Sequence, residues 1–170
     1  HKTIEIRNLT FRYSKDKKNV LNNINFDLKK GEHLGIVGKT GCGKSTLVDI
    51  LMGLIKPDKG NIFIDKIELL NNKNDKYLNS WRSKIAHVPQ QIFLVEGTIL
   101  ENIALGISNE QIDMAKVLEV IKIAKVDKFI EDLKNGIYTE IGERGILLSG
   151  GQIQRIGIAR ALYKNAEILV

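Results

Sequence analysis

The first thirty residues alternate apolar and polar positions, which is the pattern of strands that bury one face. Residues 3–13 carry this alternation in two short stretches, and residues 21–28 carry it again. Between them, residues 14–19 are polar and rich in lysine, as is typical of a turn. The pattern therefore predicts strands with one buried face, separated by a turn, at the start of the chain.

A short apolar run with β-branched members follows at residues 34–37, and this composition is typical of a parallel strand buried on both faces. The run leads directly into the glycine-rich residues 38–46. Apolar residues then recur at helical spacing as far as Pro57, which predicts a helix that ends near that proline. The residues that define its apolar face are Leu47, Ile50, Leu51 and Leu54.

The middle of the chain has weaker patterns. Residues 61–65 predict a strand, and residues 66–79 predict a polar connection without regular structure. We expect a short helix over residues 81–84, because Asn79 or Ser80 provides a capping side chain just before it.

The second half of the chain is mainly helical in pattern. A strand is predicted over residues 85–88, helices over 99–133, a loop over 137–148 and a strand from 166 to 170. Ser149 is predicted to cap a long helix that runs to Leu162. The predicted buried face of the helical region consists of Ala115, Leu118, Ile121 and either Ile123 or Ala124.

Composition excludes several classes of protein. The chain has 26 Lys and Arg against 20 Asp and Glu, a formal charge of +6, but no basic run interleaved with aromatic residues. We therefore interpret the excess charge as a solvated lysine-rich surface and expect no nucleic acid. The single cysteine, Cys42, excludes an internal disulfide and a cysteine-cluster metal site. No apolar run has the length of a transmembrane helix, and no signal-peptide pattern is present.

The glycine-rich segment has the residue spacing of a Walker A phosphate loop, Gly-x-x-x-x-Gly-Lys-Ser, between a predicted strand and a predicted helix. Its glycines allow backbone N–H groups to approach phosphates, and the next helix directs its positive end at them. Lys44 is expected to contact the β- and γ-phosphates, and the Ser45 hydroxyl is expected to bind Mg²⁺. Cys42 is expected to be a reactive thiol. The predicted ATP-binding residues of this loop are Gly38, Lys39, Thr40, Gly41, Cys42, Gly43, Lys44, Ser45 and Thr46.

A second motif stands at residues 148–152, where two glycines follow a helix-capping serine. This motif, Leu-Ser-Gly-Gly-Gln, is the signature of ATP-binding cassettes, and nearly the whole chain resembles the nucleotide-binding domain of an ABC transporter. The resemblance implies that ATP and Mg²⁺ are bound and that the signature acts in trans, on ATP held by a second domain. The signature residues are Leu148, Ser149, Gly150, Gly151 and Gln152.

The resemblance also assigns roles to single residues. It implies that Tyr13 stacks on adenine and that Gln90, the glutamine of the family's Q-loop, contacts Mg²⁺ and the attacking water. Lys44 and Gln90 are therefore the catalytic residues expected in this chain, and Ser45 and Gln90 the Mg²⁺ ligands. Residues 97–103 and 139–145 resemble stretches of exporter-type members. At two positions near the expected partner contacts, the chain has residues that are unusual for the family, Val95 and Ile153.

The family's remaining catalytic groups, the Walker B aspartate, the catalytic glutamate and the switch histidine, would follow Val170. We therefore interpret both ends of the sequence as cuts through a longer protein, and we expect this stretch alone to hydrolyse ATP negligibly. The full-length protein is expected to be an ATPase. The three histidines fall at the wrong positions to be the switch, namely His1, His33 and His87.

The resemblance implies an α/β fold: a P-loop NTPase core with an antiparallel β subdomain and a helical subdomain. Within one incomplete domain, residues 1–30 are expected to form mainly the β subdomain and residues 31–98 the P-loop core. Residues 99–148 are expected to form the helical subdomain, and residues 149–170 the signature helix and the start of the Walker B strand.

The expected partners are a second nucleotide-binding domain and a transmembrane domain that precedes this stretch in the same protein. The expected location is the cytoplasmic face of a membrane, with the bacterial inner membrane favoured. Lipids, lipid-linked oligosaccharides, peptides and drugs remain possible substrates, and overall likeness favours a lipid-linked oligosaccharide flippase.

Two alternative functions remain open. One is an ABC ATPase that acts on DNA or ribosomes, although Ser45 and Ser149 are too close in sequence for the long coiled coil of the chromosome and DNA-repair members. The other is a module that binds ATP without hydrolysing it.

Overall fold

The structure, a computed structural model, describes residues 2–70, 75–142 and 148–170. The chain divides into two compact units, His1–Ile85 and Ala86–Val170. Over the described ranges, no helix combines the length and apolar composition needed to cross a bilayer.

The first unit contains an antiparallel sheet in the order β2-β1-β3-β4. Strand β1 lies inside the sheet, since Ile6 pairs with Phe26 of β2 and with Ile62 of β3. The β1–β2 pair confirms the strands predicted at the start of the chain and the antiparallel arrangement that the family resemblance implied. Strand β4 lies in the stretch expected to have no regular structure, so that expectation is wrong there. The strands are β1 (Thr3–Phe11), β2 (Leu21–Lys29), β3 (Lys59–Ile64) and β4 (Ile67–Glu68).

A bulge in β1 explains why its alternation comes in two stretches. Ile4 and Ile6 are buried before Asn8, and Leu9 and Phe11 are buried after it. Asn8 has a positive φ of 52°, and the pairing with β2 shifts register between Ile6 and Leu9. The extra residue changes which side chains face the core, so the chain keeps one buried face across the break.

Helix α1 (Lys44–Leu51) ends earlier than predicted. Its end is a Schellman motif, in which Gly53 N–H donates to Ile50 O and Leu54 N–H donates to Asp49 O. Gly53 has φ of 71°, a conformation that favours glycine. Leu54 therefore lies outside the helix and is exposed, so its predicted place on the apolar face of this helix is wrong.

Helix α2 (Asp75–Ser83) begins earlier than predicted, so Asn79 and Ser80 lie inside it and do not cap it. The buried Trp81 anchors this helix, because its indole N–H donates to Leu51 O over 2.8 Å. A polar sequence forms a helix here because one large side chain packs against the end of α1.

The parallel strand predicted at residues 34–37 is not formed. These residues have no regular structure, and Val37 is 92% exposed. A buried parallel strand requires neighbours for its N–H and C=O groups and cover on both faces. No strand pairs with residues 34–37 within the described part of the chain, so the apolar run has nothing to be buried against.

The second unit is built around α6 (Gly150–Tyr163), whose predicted start at Ser149 and length are confirmed. The predicted strands around residues 85–88 and 166–170 are shorter than expected but paired, through Ala86 and Val88 with Val170. The other elements are β5 (Ile85–Ala86), β6 (Gly97–Thr98), α3 (Ile99–Ile103), α4 (Met114–Ile123), α5 (Asp127–Ile130), β7 (Glu140–Ile141) and β8 (Ile168–Leu169), with 3-10 turns at Asn109–Gln111 and Gly136–Tyr138.

The buried face of α4 differs from the predicted one. Val117, Val120 and Ile121 are buried and Ala124 follows on the same side, whereas Ala115, Leu118 and Ile123 are exposed. The sequence of α4 offers two overlapping apolar stripes at helical spacing. Packing in the core shared with Ile156 and Ala159 of α6 selects one of them.

Candidate nucleotide-binding site

The loop from Gly38 to Gly43 forms a tight curve at the start of α1. Cys42 N–H donates to Lys39 O over 3.2 Å, and Gly41 and Gly43 have φ of 80° and 95°. A Cβ atom on Gly43 would lie 3.0 Å from the carbonyl oxygen of Val20 and 2.9 Å from its side chain. Glycine at position 43 is therefore required by both its conformation and its close neighbour.

Helix α1 begins on this loop without a side-chain cap. Gly43 is the N-cap residue, no side chain accepts a hydrogen bond there, and the first turn contains no acidic residue. The N–H groups of the first turn have no intrahelical partner, and the helix dipole makes that end positive. The arrangement suits an anion bound in front of Lys44, Ser45 and Thr46.

The ammonium of Lys44 lies over the loop that precedes it. Its Nζ donates to Gly38 O and to Lys39 O, each over 2.9 Å, and lies 3.9 Å from the Sγ of Cys42. In the part of the chain that the structure describes, no carboxylate pairs with it. The positive charge is held by two neutral carbonyl oxygens, which a phosphate oxygen can replace with a stronger charge-assisted bond.

Tyr13 lies beside the same loop. Its hydroxyl is 2.9 Å from the Oγ1 of Thr46, and its ring packs edge-on against Phe11 with centroids 5.0 Å apart. The side chain is nevertheless 62% exposed. The structure thus brings together Tyr13 and the predicted loop, with an aromatic ring available to a ligand. Sequence reasoning did not identify the Thr46 contact, because nothing in the sequence relates positions so far apart.

The exposed Cys42 gives a direct test of this site. We expect maleimide to label Cys42 in the free protein and MgATP to slow that labelling, because bound phosphates would cover the loop and engage the nearby Lys44. Mass spectrometry measures the rate, and Cys42→Ser is the blank because the sequence has one cysteine. A labelling rate that MgATP leaves unchanged in folded protein contradicts the placement of Cys42 in the site.

The signature residues lie at the start of α6 in the second unit. The Ser149 N–H donates to Gln152 Oε1 over 2.7 Å, and the Gln152 N–H donates to Ser149 Oγ over 3.3 Å, which completes a capping box. Leu148 packs against the core, while Gly150 and Gly151 have open space where a side chain would be. The motif therefore caps its own helix and presents two bare residues to solvent.

The remaining predicted site residues also belong to the second unit. Gln90 is exposed in the irregular stretch after β5. Of the exporter-like residues 139–145, Glu140 and Ile141 form β7, while residues 143–145 lie outside the described residues.

Sequence reasoning missed a second capping box, at Thr98 and Glu101. The Thr-x-x-Glu spacing before an apolar run was the available signal. Hydrogen bonds from the Thr98 N–H and hydroxyl hold the pKa of the Glu101 carboxyl below its ordinary value. The box fixes the start of α3, and with it the position of Asn102.

Comparison with known proteins gives a consistent result. The family model described as ABC transporter matches residues 21–170. The chain is 43% identical over 169 residues to the leukotoxin export ATP-binding protein LtxB of Aggregatibacter actinomycetemcomitans, covering 98% of this chain and 23% of that protein. It is 38% identical over 167 residues to the ATP-dependent lipid A-core flippase of Chromohalobacter salexigens, covering 98% and 28%.

A comparison with solved structures points to the same family as the sequence matches. A bacterial Atm1-family ABC exporter with ATP bound matches 99% of this chain and 28% of its own chain, with a TM-score of 0.86 and 36% identity. The chain thus spans about a quarter of the length of these proteins. The predicted α/β class and P-loop NTPase fold are confirmed, and the chain belongs to the ABC transporter family.

Proposed function

We propose that this chain is the ATP-binding motor part of an exporter-type ABC transporter. In the full-length protein, ATP binding and hydrolysis in a head-to-tail dimer would drive export or flipping of a substrate across a membrane. The observation that carries the proposal is the uncapped start of α1 on a glycine loop, with the Lys44 ammonium held above it by two carbonyl oxygens.

Each part of the first-unit site fits one part of ATP. The loop N–H groups and the Lys44 ammonium suit the phosphates, where both the helix end and the side chain supply positive charge. The exposed ring of Tyr13 suits the adenine face, and its bond to Thr46 holds the ring next to the loop.

The donor set also fits Mg²⁺, which prefers hard oxygen ligands and keeps phosphate and water oxygens among them. The exposed Ser45 hydroxyl, in the first turn of α1, is a protein group that would hold it. The described residues contain no group of three or more His, Cys, Asp or Glu side chains that could bind a metal alone. When bound, the ion would neutralise phosphate charge during transfer.

The exposed glycines of the signature support its action on a second subunit's ATP. A helix N-terminus with bare residues next to it allows close approach of an anion. A membrane-spanning domain in the same protein and a position at the cytoplasmic face of a membrane, with the bacterial inner membrane as the expected one, are part of this proposal. We assign no substrate, because the relatives are named for a leukotoxin and for lipid A-core.

The adenine contact is tested by comparing two ligands. Tyr13→Ala is expected to weaken ATP binding by roughly 5- to 150-fold, because stacking of a base on an aromatic ring contributes about 1–3 kcal/mol. Inorganic tripolyphosphate, which has no base, should bind the variant and the wild type equally. Tyr13→Phe keeps the ring and should lose less. Calorimetry measures the affinity of the wild type and both variants for each ligand. If Tyr13→Ala loses the same affinity for ATP and for tripolyphosphate, Tyr13 only supports the loop.

A further inference from the structure

A buried asparagine and a half-buried arginine in the second unit tie residues 92–97 to the signature helix. Asn102 has no exposed surface. Its amide N–H groups donate to Val95 O over 2.9 Å and Thr98 O over 3.0 Å. Its amide oxygen accepts from Val95 N–H over 2.9 Å and from Arg160 Nη2 over 3.1 Å. All four hydrogen-bonding positions of the side-chain amide are used. Both the N–H and the C=O of Val95 bond to this amide, as they would bond to the backbone of a neighbouring strand.

Arg160, on α6, completes the connection. Its Nε donates to Asn102 O over 2.8 Å, and its Nη1 donates to Phe93 O over 2.9 Å. Burial lowers the pKa of Arg160, and the partners of the guanidinium in these bonds are neutral oxygens. A half-buried charge is costly unless its donors are bonded. The segment is therefore held at Phe93 and, through Asn102, at Val95.

A packing contact joins the same two parts independently. A Cβ atom on Gly157 would lie 2.4 Å from Cδ1 and 2.8 Å from Cγ1 of Ile92. Gly157 and Arg160 are three residues apart, so they lie on one face of α6. Hydrogen bonding and close packing thus attach residues 92–97 to one side of the helix.

The attached segment is exposed on its other side. Phe93 is 67% exposed and Val95 is 45% exposed, whereas Leu94 between them is buried in the core. Helix α6 extends about 16 Å from Arg160 back to its cap at Ser149. A helix of this length transmits a displacement along its axis, so its two ends are linked mechanically.

We propose that Asn102 and Arg160 are positioning residues that make residues 92–97 and the signature helix move as one body during the ATP cycle. A displacement of Phe93 or Val95 then also displaces Ser149. A displacement of Ser149 when the site closes over ATP likewise moves Phe93 and Val95. The inference rests on the proposed function for its role in the cycle, while the attachment itself is a separate claim.

The attachment is tested by amide hydrogen exchange without nucleotide. Arg160→Gln and Gly157→Ala are each expected to raise exchange at residues 93–97 by about tenfold or more. The first removes hydrogen bonds that anchor the segment, and the second adds a Cβ atom that pushes Ile92 away from the helix. Arg160→Lys keeps the charge without the planar fork and should give a smaller rise. Arg155→Gln is the matched control, because Arg155 lies on the same helix and donates to Lys125 O, away from the segment.

The coupling is tested in the full-length protein on a hydrolysis-deficient background. In the wild type, ATP should protect both the start of α6 and residues 92–97 from exchange. In Arg160→Gln and Gly157→Ala, protection at the start of α6 should remain and that at residues 92–97 should be lost. A general loss of stability of the second unit would instead reduce the ATP protection at both places. If Arg160→Gln does not fold, the same exchange measurements on Gly157→Ala and Arg160→Lys test the coupling.

Variants that keep wild-type exchange at residues 93–97, or that keep both ATP responses, overturn the proposal. A wild type without ATP protection at the start of α6 counts against the proposed function instead. The nucleotide-free comparison still decides whether the attachment exists in that case.

Discussion

Ser149→Arg in the full-length protein is expected to abolish ATP-driven dimerisation and hydrolysis while leaving ATP binding to the monomer nearly unchanged. Ser149 belongs to the second unit, whereas the phosphate loop belongs to the first. In the proposed dimer, the small hydroxyl and the bare Gly150 and Gly151 approach the partner's γ-phosphate. A long arginine side chain would fill the space that these residues leave open.

The capping role of Ser149 must be separated from this role. Ser149→Ala removes the acceptor for the Gln152 N–H but stays small, so it should cost about 1 kcal/mol of stability. It should therefore lower the melting temperature and still dimerise. Light scattering with ATP, on a hydrolysis-deficient background, compares the two variants. A Ser149→Arg variant that melts earlier yet still dimerises would support the capping account alone.

Lys44→Ala is expected to weaken MgATP binding by at least about tenfold, because it removes a charge-assisted contact to the phosphates. The fold should survive, since the Lys44 ammonium bonds only to exposed parts of its own loop. Calorimetry measures the affinity, and a thermal melt confirms that the variant is folded.

Lys18→Ala is the matched control for Lys44→Ala. Lys18 is exposed between β1 and β2, so its replacement removes one positive charge while every residue of the phosphate loop is kept. A similar loss of affinity in both variants would mean that overall charge, and not the position of Lys44, attracts the nucleotide. Unchanged affinity in folded Lys44→Ala would contradict the assignment of the phosphate loop.

Features that depend on near neighbours could be predicted from the sequence. The alternation of β1 and β2 gives a one-sided sheet, because side chains of a strand point to opposite faces in turn. The glycine loop before Lys44 and the cap at Ser149 are equally local, since a turn conformation and a capping bond involve residues within a few positions. Gly53 is a local signal too, because a glycine directly after an apolar helical stretch is typical of a helix end.

Features that depend on distant partners were decided by the tertiary structure. Residues 34–37 have the composition of a buried strand, but a strand forms only where other strands accept its hydrogen bonds. Helix α2 is anchored where Trp81 bonds to Leu51, and the buried face of α4 depends on α6. Local sequence contains none of these partners.

The difference between local features and those that need distant partners is clearest for the side chains around each site. The glycine loop before Lys44 and the capped start of α6 could be predicted because each is a short motif whose conformation depends on residues a few positions apart. Only the tertiary structure placed Tyr13 on Thr46, 33 positions away, and Arg160 on Asn102, 58 positions away. Such contacts form when packing closes the chain between them, and no periodicity or spacing in the sequence encodes that closure.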